Sequence, residues 1–152
     1  MSALRPMLAP VGGFLGAGKT SLILAAARIL EKRGVRTAAI LNDQGGSLVD
    51  TQLAREQSIH AEQVTGGCFC CLFSDLAAAA ERLTAHAPEV IFAEPVGSCM
   101  DISATVLQPL KSRYAGKFRL APFTVVVDPA RAAALLDEDA GSDLAYLFRK
   151  QL

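Results

Sequence analysis

No charge of either sign is in excess. Fifteen Lys and Arg residues balance 15 Asp and Glu over 152 residues, and no long basic run is present. That lack argues against a chain built to hold nucleic acid or an anionic membrane. Also missing is any apolar run near the ~18 residues that a membrane span needs. The best candidate, residues 22–30, is broken by Arg28. The N-terminus, MSALRPMLAP, has neither the long apolar core nor the small-residue cleavage site of a secretory signal. Internal repeats and low-complexity linkers are absent too. Charged residues make up only 20% against 51% hydrophobic, enough apolar surface to offset chain entropy. The length suits one domain with a real core, since single domains commonly run ~100–150 residues. The expectation is a soluble cytoplasmic domain without nucleic-acid or membrane partners.

Cysteine is scarce and unevenly placed. Of four, three fall in Cys68-Phe69-Cys70-Cys71, and Cys99 stands apart. A secreted disulfide framework spreads its cysteines, and neighbours such as Cys70 and Cys71 bridge only with strain. In a cytosolic chain, clustering points instead to metal binding or redox chemistry. C-x-C-C is too short for a closed zinc site, which usually draws on two separated pairs. Three thiolates could hold Zn²⁺ with one position left to a carboxylate, water or a partner protein, an arrangement that suits transfer better than storage. Buried reduced cysteines, or a redox-sensing pair, are as open as metal on these residues alone.

Strand and helix patterns alternate along the chain. Strands are expected at 7–12, 37–41, 58–64, 90–93 and 122–127, the last two being the strongest, apolar at consecutive positions as in doubly covered parallel strands. Helices are expected at 20–33, with Gly34 as cap, at 74–85, from Pro129, and from 142 to the chain end. Residues 42–47 read as a Gly-rich loop. This alternation predicts an α/β fold with a mainly parallel sheet flanked by helices in three layers. The last helix, DLAYLFRKQL, reads as cut while still running, so residues 1–152 are expected to be the N-terminal part of a longer α/β unit, with no second domain.

The most specific motif is Gly13-Phe14-Leu15-Gly16-Ala17-Gly18-Lys19-Thr20, which satisfies G-x-x-x-x-G-K-[ST] between an apolar strand and an amphipathic helix. Such a loop turns successive backbone N–H groups toward phosphate oxygens, and the new helix adds its dipole. The candidate nucleotide contacts are Gly13, Gly16, Ala17, Gly18, Lys19, Thr20 and Ser21. Lys19 would reach the β- and γ-phosphates, and the Thr20 hydroxyl would hold Mg²⁺. Pro10, late in the first strand, removes a ladder donor there.

Such a site also needs a carboxylate at the end of another strand. Asp128 precedes Pro129, which capping explains, with Asp as N-cap and Pro at the first helical position. No capping account covers Glu94, which ends 90–93 and opens Glu94-Pro95-Val96-Gly97. Glu94 is therefore the candidate catalytic carboxylate beside Lys19, with the Gly97 N–H available to a γ-phosphate.

In order, GGFLGAGKTSL (12–22), NDQG (42–45), GGCFCCL (66–72), EPVG (94–97) and VVVDP (125–129) resemble the CobW-type metal-chaperone GTPases, relatives of the nickel-insertion GTPases. The resemblance runs from about residue 7 to 152. It implies a P-loop GTPase domain that binds GTP with Mg²⁺ and links nucleotide state to delivery of Zn²⁺ or Co²⁺. It further implies a metal-receiving target protein and a nucleotide-dependent homodimer. By position, Cys68, Cys70 and Cys71 would form the metal loop, Glu94 and Gly97 the γ-phosphate sensor, and Asp43 a further metal-side carboxylate. Two departures stand out. Asp43 replaces the family's longer Glu, and Pro95-Val96 replaces its hydroxyl-bearing pair. No Asn-Lys-x-Asp guanine motif occurs, so guanine preference follows from the resemblance. A non-catalytic zinc-binding module and an ATP-using P-loop enzyme are the alternative functions.

The remaining polar residues read as structural. His60 and His86 are expected to be solvated or satisfied. Lys111, Arg113, Lys117 and Arg119 read as a solvated connection, the 74–85 helix as core packing, and Cys99 as a small buried residue near the nucleotide loop.

Overall fold

The computed structural model describes residues 5–42, 59–136 and 143–152. Its strands are β1 (Met7–Gly13), β2 (Thr37–Asn42), β3 (His60–Val64), β4 (Val90–Ala93), β5 (Arg119–Leu120) and β6 (Thr124–Val126). Its helices are α1 (Lys19–Glu31), α2 (Phe73–Leu83), α3 (Gln108–Arg113), α4 (Pro129–Leu136) and α5 (Asp143–Arg149). The sheet runs β3-β2-β4-β1-β5, with β6 continuing beside β1 beyond β5. Every pairing among the described residues is parallel.

Alternation along each strand sorts side chains between two cores. Leu8, Ala38, Ile40, Ile91 and Ala93 pack on one face with Leu76, Ala79, Ala80 and Leu83 of α2 and with Val106 and Leu110. Val11, Ala39, Leu41 and Phe92 pack on the other with Ile23, Leu24 and Ala27 of α1. The result is the expected three-layer α/β arrangement. The α1 C-terminus closes by a Schellman turn: Val35 N–H donates to Leu30 O at 3.1 Å, Gly34 N–H donates to Glu31 O at 2.9 Å, and Gly34 adopts φ +79°.

Pro10 sits in central β1 without breaking the ladder. Ala121 N–H donates to Leu8 O at 2.9 Å, so Leu8 faces the β5 side. Residues two apart share a side, so Pro10 faces the interval between β5, paired at Leu8, and β6, paired from Val11. Its missing donor falls where, among the described residues, no strand stands.

Two expectations need correction. Residues 122–127 are not a doubly covered strand: β6 spans only Thr124–Val126, and its burial is partial. Among the described residues it pairs with the end of β1 alone, and Asp128 stops it by capping α4, accepting the Ala130 N–H at 3.0 Å. The connection between β4 and β5 is also not mere solvated chain. A helical stretch occupies 103–113, wound as a wide π turn over Ser103–Leu107 before α3. Ile102, Val106 and Leu110 line its buried side at a spacing of four, and Asp101 Oδ1 accepts the Ala104 N–H at 3.2 Å. Pro109 obscures this pattern, because a proline lacking its N–H reads as a helix breaker. Of the basic residues there, Lys111 and Arg113 lie in α3's last turn, and Lys117 pairs with Glu81 at 2.7 Å.

Ile91 is wholly buried in β4 and Leu144 of α5 is 52% exposed. Ile91→Ala should cost about 2–5 kcal/mol through lost transfer energy and a cavity. Leu144→Ala should stay within about 0.5 kcal/mol of the parent. Urea unfolding midpoints measure both.

Candidate functional site

The parallel register places the loops after β1, β3 and β4 along one edge of the sheet, its carboxyl edge. Pro10 pairs with Ala93 and Asn42 with Val64, so the chain leaves neighbouring strands at nearly one level. Candidate residues distant in sequence meet there.

The loop between β1 and α1 has the shape its glycines allow. Gly16 and Gly18 adopt φ +75° and +92°, conformations that an L side chain resists. Ala17 N–H donates to Phe14 O at 3.1 Å, folding the loop on itself. Gly18 occupies the N-cap of α1, with no side-chain cap and no acidic residue in the first turn. A helix start lacking side-chain caps offers its first N–H groups and its dipole to an anion. Ser21 is exposed in that turn and Ala17 half-buried.

Lys19 and Glu94 are both buried, an unusual place for charges. Lys19 Nζ lies 3.9 Å from Glu94 Oε1 and donates to Phe14 O at 3.3 Å. Thr20 Oγ1 lies 2.9 Å from Glu94 Oε2 and 3.1 Å from Oε1, donating to the carboxylate. Glu94 N–H donates to Ile40 O at 2.8 Å, which extends the β2–β4 ladder to the catalytic candidate. Thr20 and Glu94 thus form a pair of oxygen donors beside an ammonium, chemistry that suits a hard divalent cation together with phosphate oxygens.

Gly97 lies against the phosphate loop. A Cβ there would stand 2.6 Å from Leu15 N and 2.9 Å from Leu15 Cα. Its carbonyl accepts the Gln151 side-chain N–H at 2.6 Å. Arg131 donates to Leu15 O at 2.5 Å and lies over the Phe14 ring, and Phe148 meets Phe14 edge-on at 5.8 Å.

The cysteine loop follows β3. Cys71 and Leu72 N–H both donate to Cys68 O, a tight turn, while the buried Phe69 anchors it and Asn42 Nδ2 ties it to β2 through Gly67 O at 2.7 Å. The sulfurs of Cys68, Cys70 and Cys71 all lie within 4.8 Å of one another, so the loop fits a thiophilic metal in its donor set. Cys68 and Cys70 are joined as a disulfide in this structure, so metal ligation by this pair belongs to the reduced form. Cys71 stays a thiol, 3.2 Å from Cys68 Sγ and 3.9 Å from Cys70 Sγ.

Cys99 also belongs here. Its Sγ lies 4.0 Å from Cys70 Sγ, although the two are 29 residues apart. Burial pushes its thiol above the ordinary range, and backbone groups of Cys70, Phe69 and Val96 oppose that shift. Arg131, Gln151 and Cys99 were missed as site residues. Only Cys99 carried a signal, being a fourth cysteine five positions after Glu94. Asp43 lies outside the described residues. His60 and His86 are exposed and stack face to face at 3.8 Å, away from these groups in the β3–α2 layer.

Fold and loop together define a P-loop nucleotide-binding domain. The model of the CobW/HypB/UreG family's nucleotide-binding domain matches residues 7–152, and the chain belongs to that family. Over 60 residues it is 43% identical to the zinc chaperone YjiA of Escherichia coli (strain K12), a stretch covering 39% of this chain and 18% of that protein. Among solved structures, the signal recognition particle receptor FtsY from Elizabethkingia anophelis superposes with a TM-score of 0.67 at 13% identity, over 97% of this chain and 48% of FtsY. The hydrogenase maturation factor HypB from Archaeoglobus fulgidus superposes with a TM-score of 0.53 at 20% identity, over 98% of this chain and 76% of HypB. These likenesses establish the fold. The chain spans less than half of FtsY and matches under a fifth of YjiA.

Gly97→Ala should displace the phosphate loop through Leu15 and weaken binding of a fluorescent nucleotide by about tenfold or more, roughly 1.4 kcal/mol. Gly116→Ala meets no atom within 4 Å and should leave affinity unchanged. Titrations of both proteins, beside their melting curves, separate a loop effect from unfolding.

Proposed function

We propose that this chain is the nucleotide-binding part of a GTP-hydrolysing metallochaperone, in which nucleotide state sets how firmly Zn²⁺, or a related ion such as Co²⁺, is held for delivery. The observation that carries this reading is the course of residues 94–99: Glu94 hydrogen-bonds Thr20, Gly97 lies on Leu15, and Cys99 meets Cys70. One short segment therefore touches both the phosphate loop and the thiol cluster. Family membership and the zinc-chaperone relative support the same reading.

The residues divide the work as follows. Backbone N–H groups from Gly13 to Ser21 would cradle the phosphates, with Lys19 set against the β- and γ-oxygens. Thr20 and Glu94 would hold Mg²⁺, directly or through water, and that ion would neutralise charge on the transferring group. In hydrolysis a water oxygen bonds to the γ-phosphorus as the bridge to the β-phosphate breaks, giving GDP, inorganic phosphate and a proton. The amides and Lys19 stabilise the charge that develops, because they are already aimed before reaction. Glu94 now serves as the counter-charge of Lys19, and a γ-phosphate would compete for that ammonium. The exchange frees Glu94 and the segment it opens, which is how occupancy would reach Gly97 and beyond.

Zinc is the cargo. Cys68, Cys70 and Cys71 would take it as thiolates once the Cys68–Cys70 bond is reduced, with Asp43 a further carboxylate toward metal. The partners are a metal-receiving client protein and, with nucleotide bound, a second copy of the chain; the compartment is the cytoplasm.

Turnover of GTP and ATP by the purified chain, with zinc affinity measured under a GTP analogue and under GDP, tests the proposal. GTP should be preferred, and the two zinc affinities should differ. Lys19→Ala should lower turnover by about 10²–10³-fold while the zinc-loaded protein still forms. Equal zinc affinities in both nucleotide states would overturn the coupling.

A further inference from the structure

The loop after β3 contributes three sulfurs, and three thiolates leave one position of a tetrahedral zinc open. The structure brings a fourth sulfur beside one of these three, Cys70, from the loop after a different strand. Cys99 follows β4, its backbone N–H donates to Val96 O at 3.0 Å in a tight turn, and its side chain is only 6% exposed. Sulfurs around a tetrahedral zinc with Zn–S near 2.3 Å stand ~3.8 Å apart. Cys70 Sγ lies 3.9 Å from Cys71 Sγ and 4.0 Å from Cys99 Sγ, close to that edge length in both directions. A cysteine buried only for packing needs no thiol neighbours, whereas this one lies beside a loop already suited to metal.

We propose that Cys99 is the fourth thiolate ligand of the metal, so that the reduced protein closes a four-sulfur site from the loop after β3 and the loop after β4. This inference rests on the zinc-cargo reading of the cysteine loop and adds to it the ligand through which nucleotide acts. Cys99 stands two positions beyond Gly97, whose backbone lies on Leu15 of the phosphate loop. With Cys99 engaged the site is closed and retains its ion. A shift of residues 94–97 toward a γ-phosphate withdraws Cys99 and leaves three thiolates with an open position, to which a client ligand can add. Closed sites store metal and open ones exchange it.

Loading begins with reduction of the Cys68–Cys70 disulfide. A phosphine reductant takes up the oxygen of one water to become a phosphine oxide, and the two sulfurs leave as thiols carrying that water's two protons. Binding of the metal ion then displaces one proton from each of the four thiols.

X-ray absorption of zinc bound to the reduced full chain counts the ligands without any substitution. The expected shell is four sulfurs at about 2.3 Å. Cobalt loading supplies the second measurement, because thiolate-to-Co²⁺ charge-transfer intensity follows the number of Co–S bonds. Cys99→Ser should lose about a quarter of that intensity and weaken zinc binding by roughly tenfold or more. A shell of three sulfurs and one lighter atom in the parent chain overturns the assignment of Cys99 and leaves the three-thiolate cargo site standing. So does a folded Cys99→Ser protein with the parent's intensity. A parent chain whose metal has no sulfur neighbours overturns both readings together.

Discussion

Burying the Lys19 ammonium against the Glu94 carboxylate is the constraint around which the carboxyl edge of the sheet is arranged. Charges removed from water are costly unless each finds a partner, and breaking such a pair leaves the other uncompensated. Here the pair is supported on every side. Thr20 donates to Glu94, Phe14 O accepts from Lys19, and Glu94 N–H is held by Ile40. The support exists only because β1 and β4 pair in parallel with Pro10 opposite Ala93, so Glu94 leaves its strand level with the start of the phosphate loop. A slip of one residue would turn Ile91 and Ala93 to the wrong face and carry the carboxylate out of reach of Thr20.

The same edge is built from backbone packed on backbone. Gly13 has no room for a side chain beside Val126 O, nor Gly97 beside the Leu15 backbone. Close approaches of this kind leave little slack, since packed interiors rearrange between discrete states rather than deforming smoothly. Arg131, Phe148 and Gln151 add contacts from the α4–α5 side, holding Leu15, Phe14 and Gly97 from outside the sheet. The phosphate loop thus contacts both the segment after β4 and the C-terminal helices.

What the amino acids disclosed in advance was what local chemistry decides. The phosphate loop is legible because glycine, lysine and threonine at that spacing serve few other purposes. The capping role of Asp128 follows from the proline behind it, and the Ala130 N–H does meet its carboxylate. Strands 37–41 and 90–93 were legible as apolar runs because both of their faces are covered. The 103–113 helix was not, since Pro109 interrupts an otherwise readable spacing of Ile102, Val106 and Leu110. β6 looked stronger in sequence than it is, because a run of valines does not say whether a strand has one neighbour or two. Cys99 beside Cys70, and Gln151 on Gly97, are approaches between distant segments. No local pattern encodes them, and they follow only once strand order and register are known.

Strand order also decides which loops can communicate. β4 lies between β1 and β2, and β3 lies beyond β2. A chain leaving β4 can therefore reach the phosphate loop on one side and the cysteine loop on the other, across a single intervening strand. Residues 94–99 do both, through Gly97 and Cys99. On the proposed reading the coupling of nucleotide to metal is thus a property of topology first. The particular residues, a glycine small enough to lie on Leu15 and a cysteine two positions later, convert that adjacency into contact.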